Sequence, residues 1–159
     1  MSALYLIDGF NFLHAVVLKG RDRAHWWNVE NQRAVRDWVA AHPIPGARLW
    51  IVFDQRGAGA ASSAAAQGTS EPEGAGEVAA QNPSTAASSA PEVRHAPDAD
   101  AYILERCEEL RGGCEVVVVS ADRSLVDRAK GRGARSLSPW AFARYAERDA
   151  PSGGQRPGP

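Results

Sequence analysis

At 159 residues, with 44% hydrophobic and 23% charged side chains, the chain is long enough to bury one proper core, and a second domain is not expected. The formal net charge of −1 argues neither for nor against a polyanionic partner, and Cys107 and Cys114 fit neither a zinc pattern nor a disulfide framework. No apolar run approaches membrane-spanning length, and MSALYLIDGF has no basic flank and meets an Asp early, so a cytoplasmic protein with no membrane partner is expected.

The path opens with a strand at 3–7, a helix from about 11 to 19, a helix at 28–41 with Asn28 as its N-cap, and a strand at 47–53. Residues 57–91 are Ala/Ser/Gly-rich, without aromatics and with Val78 as their one large aliphatic side chain. Such a segment cannot bury enough apolar surface to offset its ordering entropy. A single domain over 1–148 is therefore expected, interrupted by a disordered insertion at about 57–92 and followed by a disordered tail at 149–159. Beyond the insertion a short strand is expected near 92–95, then a helix at 98–111 with Ile103, Leu104, Cys107 and Leu110 as its apolar stripe. A strand at 115–119, a helix at 123–131, a short strand at 134–137 and a helix at 139–147 complete the path, the last opened by Ser138 and Pro139. Four consecutive valines at 116–119 have no polar alternation, which suits a strand covered on both faces. Strands alternating with helices imply an α/β fold, a parallel sheet in a three-layer α/β/α arrangement.

Four acidic residues sit where an apolar run ends or a helix begins: Asp8 after ALYLI, Asp54 after LWIVF, Asp100 in PDADAYI and Asp122 after VVVVS. Parallel strands end at one edge of the sheet, so these carboxylates would converge there. At ~5 Å and an effective dielectric of about 20, each pair costs roughly 3 kcal/mol, so an ionised cluster calls for a divalent cation. Ligation by oxygen alone suits Mg²⁺ or Mn²⁺. Taken singly each residue also has a structural reading: an Asx-turn for Asp8, a loop start for Asp54, a helix-dipole position for Asp100 and an N-cap for Asp122.

In LIDGFN, Gly9 permits a sharp turn and Asn11 can point its amide back toward Asp8; in VVVVSADRSL, Ser120 and Asp122 close a strand and open a helix. Together LIDGFN, VFD, ADAYI, VVSADR and the late GRGARSLS resemble the PIN-like ribonucleases, specifically the NYN branch and its YacP-like proteins, over residues 3–145 apart from the insertion. The resemblance implies strand order 3-2-1-4-5, with Asp8, Asp54, Asp100 and Asp122 as catalytic residues that hold Mg²⁺ or Mn²⁺, and with Asn11 and Ser120 in support. It also implies a metal-dependent endoribonuclease that hydrolyses single-stranded RNA, with the ribosome among the candidate partners. Asp98 competes with Asp100, which is preferred because it precedes the apolar stripe as the family's acid does.

Outside 57–93 and the tail from 149, 17 Lys and Arg stand against 14 Asp and Glu, so the folded part is mildly basic around an acidic centre. Arg56 and Arg123 each follow a site Asp closely and are candidate phosphate ligands. RDRAHWW adds Arg21, Arg23, Trp26 and Trp27 as a candidate stacking platform for single-stranded RNA, although a Trp pair between helices also suits packing. Two rival readings are a non-catalytic RNA- or ribosome-binding module and a metal-dependent phosphohydrolase of small phosphate esters. The acidic set argues against a pure polyanion binder, and the chain has neither a DxD after the first strand nor a GxxxxGK[ST] loop. The oligomeric state is not legible.

Overall fold

The structure is a computed structural model that describes residues 2–19, 28–55 and 90–149. Strand β1 (Ala3–Asp8) leads directly into helix α1 (Gly9–Phe12), which widens into a π-helical turn (Leu13–Val17) where Leu18 N donates to Leu13 O at 2.8 Å. Helix α2 (Val29–Ala41), strands β2 (Arg48–Asp54) and β3 (Glu92–Ala96), helix α3 (Ala99–Glu109), strand β4 (Glu115–Val119), helix α4 (Arg123–Gly131), strand β5 (Arg135–Leu137) and helix α5 (Pro139–Asp149) follow. The first helix starts two residues before its expected position because Asp8, not a later residue, caps it: its side chain accepts from Asn11 N. The expected disorder of the insertion falls on residues that are mostly outside the described ones, and so does that of the tail. At the insertion's far border Glu92 already belongs to β3.

All five strands are parallel, in the order β3-β2-β1-β4-β5. The period-two alternation of side chains divides the interior into two cores. Tyr5 and Ile7 of β1, Ile51 and Phe53 of β2, and Val117 and Val119 of β4 pack with α1, α2 and α5 through Phe12, Val35, Val39 and Phe142. Leu4 and Leu6, Val52, and Val116 and Val118 pack on the other face with Ile103, Leu104 and Cys107 of α3 and Leu125 and Ala129 of α4. Covered on both faces, β4 has no place for alternating polar residues, which explains its run of valines. Cys107 is a core thiol, and burial pushes its pKa up to about 11.

Alternation also decides where the acids go. Asp8 follows Leu4 and Leu6 in phase, and Asp54 follows Trp50 and Val52, so both carboxylates leave their strands toward the layer of α3 and α4. The starts of those two helices carry the remaining acids, Asp100 in the first turn of α3 and Asp122 at the N-cap of α4.

Candidate active site

Asp8 ends the central strand, where it is register-matched to Val52 on one side and adjoins the continuation of β4 on the other. One oxygen, Oδ1, accepts from the backbone N–H of Asn11 at 3.2 Å, and Oδ2 accepts from the hydroxyl of Ser120 at 3.2 Å. Ser120, which is buried although polar, in turn accepts from Asp122 N at 3.1 Å. A chain of donors thus runs from the start of α4 through Ser120 to Asp8.

Asn11 does not turn its side chain back on Asp8 as expected. Its Oδ1 accepts from Ala121 N at 2.9 Å, tying the loop after β1 to the loop after β4 across 110 residues of sequence. Gly9 likewise serves a different purpose from the sharp turn expected of it. Its φ is not positive; instead a Cβ there would lie 2.6 Å from Phe53 Cδ1, so only glycine lets α1 start against the Phe53 ring.

Asp122 caps α4, with Oδ1 accepting from Ser124 N at 2.8 Å and Leu125 N at 3.2 Å. Its structural role is therefore real, and Oδ2 takes no hydrogen bond from the described residues. The same division of labour separates the two acids of α3. Asp98 caps it by accepting from Ala101 N at 2.9 Å, which leaves Asp100, half-buried in the first turn, available to the site.

The electrostatics show that these groups share one field. Burial pushes Asp8 from an ordinary 3.8 up to about 6, against the two hydrogen bonds that favour its charged form, and the charges of Asp100 and Asp122 push it further in the same direction. Asp100 is also raised, by burial first and then by Asp122, Asp98 and Asp54, while Arg128 of α4 opposes the shift. All four expected site acids are therefore electrostatically connected at the carboxyl edge of the sheet. Among the described residues no three His, Cys, Asp or Glu side chains are drawn tightly enough to cage a metal ion. In chemistry, however, the donor set fits a hard cation, since it offers carboxylate oxygen and no thiolate or imidazole.

Arg123 is exposed beside this edge and borders a cavity of about 440 Å³ with Ser120. Arg21, Arg23, Trp26, Trp27 and Arg56 lie outside the described residues. His95 of β3 faces the opposite layer: it stacks on Phe53 with ring centroids 5.8 Å apart and bonds Gln32 of α2 at 2.9 Å. Arg128 was not legible as a neighbour of Asp100, because that pairing depends on how α3 packs on α4.

No helix among the described residues is long and apolar enough to cross a membrane. The sequence matches no protein-family model and no curated protein. Among solved structures it is similar to Rae1 (YacP) from Bacillus subtilis, with 19% identity and a TM-score of 0.60 over 92% of this chain and 74% of that one. A single-site variant of the same protein aligns at 18% identity and a TM-score of 0.60, over 92% and 75%. With its parallel sheet in the order 3-2-1-4-5, the chain has the YacP-like NYN/PIN-like fold.

Proposed function

We propose that the protein is a metal-dependent ribonuclease that hydrolyses phosphodiester bonds within single-stranded RNA. The observation that carries this reading is the convergence of Asp8, Asp54, Asp100 and Asp122 from four separate segments at one sheet edge, with Asp8 held near half-protonation at about pH 6 by burial and by its acidic neighbours. Stability does not account for such a cluster, because crowding like charges at one edge is costly. Those four carboxylates would hold Mg²⁺ or Mn²⁺, which when bound supplies an activated water and neutralises charge on the phosphate and the leaving oxygen.

The chain's own residues have separable tasks. Ser120 donates to Asp8 and so favours the ionised carboxylate that a cation requires. Asn11 fixes the loop of Ala121, and with it the start of α4, relative to β1. Arg128 offsets part of the crowding on Asp100. Arg123 provides a positive group at the mouth of the site for a phosphate oxygen. The choice of RNA rests on the likeness of the fold to YacP-type proteins, since nothing in the site reads a 2′-hydroxyl.

The test is cleavage of a labelled single-stranded RNA with Mn²⁺ or Mg²⁺, with and without EDTA, by wild type and by the Asp8→Asn and Asp122→Asn variants. Asparagine caps helices as well as aspartate does, so both substitutions keep the helix starts and remove only charge. Chelation should stop cleavage, and each variant should lose at least about 100-fold in rate, the lower range for a group acting at the reaction centre. Metal-independent cleavage, or variants as active as wild type, would overturn the assignment; a folded wild type that binds RNA without cutting it would favour a binding module.

A further inference from the structure

Two cavities open on either side of the edge strand β5. One, of about 430 Å³, lies between β5 and α5, bordered by Tyr5 and by Arg135, Arg144, Tyr145 and Arg148. The other, of about 440 Å³, lies between β5 and the start of α4, bordered by Arg123, Lys130 and Ser120. Ser136 and Leu137 border both, so the two flank β5 on its opposite faces, and the serine that donates to Asp8 borders the second. A line of cations therefore leads from the acidic edge to the outer face of α5.

The charges along this line are unequally committed. Arg135 is paired with Glu115 at 2.6 Å, and Asp127 contributes a carboxylate to the cavity beside α4. Arg144 and Arg148 are exposed and make no ion pair with any described residue. They stand four residues apart on one face of α5, about 6 Å along the axis, a spacing that suits successive phosphates of an extended strand. One turn earlier on the same face is Trp140, which is 51% exposed although α5 buries Phe142, Ala143 and Ala146 in the core. Tyr145 is hydrogen-bonded to Tyr5, which holds its ring at the cavity wall. Arginines that follow a backbone, with aromatic faces beside them, are what single-stranded nucleic acid requires for binding without sequence reading. An acidic peptide would use the arginines but would leave the link to the carboxylate edge without purpose.

We propose that the β5–α5 side is a strand track, which binds nucleotides of a single-stranded RNA beyond the bond held at the acidic edge. The identity of the nucleic acid rests on the function proposed above; the track itself rests on the two cavities that flank β5 and on their cationic side chains. Phosphates lie along Arg144 and Arg148, and a base stacks on Trp140.

Binding can be measured without cleavage, by fluorescence anisotropy in EDTA with labelled RNAs of about 4 and about 15 nucleotides, the range of site sizes common for such surfaces. The Arg144→Ala/Arg148→Ala double variant should bind the longer RNA about tenfold more weakly, with the shorter one unaffected. Its log–log salt dependence should be shallower by about 1.4, or about 0.7 for each phosphate of a single strand that is no longer neutralised. Trp140→Ala should weaken the longer RNA about fivefold or more, the lower value for one stacked base. Arg36→Ala/Arg111→Ala, an equal charge change at two exposed sites away from α5, is the control. Unchanged affinity and slope in the first variant, an equal loss in the control, or no binding of the longer RNA by wild type would each overturn the track. Arginine-dependent binding without cleavage in Mn²⁺ or Mg²⁺ would sustain the track and remove the nuclease reading; cleavage with arginine-independent binding would do the reverse.

Discussion

The acidic edge and the β5–α5 flank carry opposite charges and hold them by opposite means. At the edge, Asp8, Asp98 and Asp122 each accept from backbone N–H groups at the start of a helix, and Asp8 and Asp122 are further linked through the buried Ser120. On the flank, Arg144 and Arg148 extend from an exposed helix face with no ion pair to a described residue. Groups that act on a reacting phosphate must be placed within tenths of an ångström, and hydrogen bonds together with burial achieve that at an electrostatic cost. Groups that follow a flexible strand need only the right sign and adequate reach. The raised pKa of Asp8 is the visible cost of the first strategy.

The largest test of this contrast is the stability of the metal-free protein. Asp8 binds its proton up to about pH 6 when folded but releases it near 3.8 when unfolded, so its contribution is most favourable below about pH 4 and is lost as pH rises through 6. The loss amounts to roughly 3 kcal/mol. Asp8→Asn in EDTA should therefore be more stable than wild type at pH 7.5 by up to that amount, and little different at pH 4, in denaturant melts. An advantage that is the same at both pH values would show that the charge at Asp8 is not under strain.

Gly9→Ala probes the packing beneath the edge. The added methyl meets the Phe53 ring, itself wedged between Phe10, at 5.1 Å, and His95, and overpacking of this kind costs about 1–3 kcal/mol. A thermal melt indistinguishable from wild type would mean that the start of α1 can slide and that the edge is less rigid than its hydrogen bonds suggest. Ser120→Ala gives the smallest of the three effects. It removes one of the two hydrogen bonds that favour ionised Asp8, so the pKa of Asp8 should rise further above about 6, and divalent-ion affinity near pH 6.5 should fall about tenfold, the lower range for loss of a group that orients a ligand. Carboxyl chemical shifts followed through a pH titration, with calorimetry of ion binding, would read both; an unmoved Asp8 titration would remove Ser120 from the site.

Much of the architecture was legible because it depends on local pattern. Apolar runs marked β1, β2 and β4, Asn28 and Asp98 marked helix starts, and the unbroken valines of β4 announced burial on both faces. The acids were legible for the same reason, each lying at the end of a run or the start of a helix. What could not be read were the partners of side chains across long stretches of sequence. The bond from Ala121 to Asn11, the Phe53 ring over Gly9, the turn of His95 toward Gln32 and the field of Arg128 on Asp100 each depend on which elements become neighbours. The face taken by His95 follows from Val93, which packs two residues earlier into the core beside α2, a fact of three-dimensional packing rather than of hydropathy.

The bond from Ser120 to Asp8 spans 112 residues, and its consequence reaches into biosynthesis. A chain emerging from its N-terminus carries Asp8 and Asp54 early, but β4 and the start of α4 must be made and docked beside β1 before Ser120 and Asp122 can join them. Until then Asp8 has its backbone donor from Asn11 but lacks the Ser120 hydroxyl, and Asp100 and Asp122 are not yet beside it. The four-acid edge is thus a product of the completed sheet, since its members come from segments that only the parallel order β3-β2-β1-β4-β5 brings side by side.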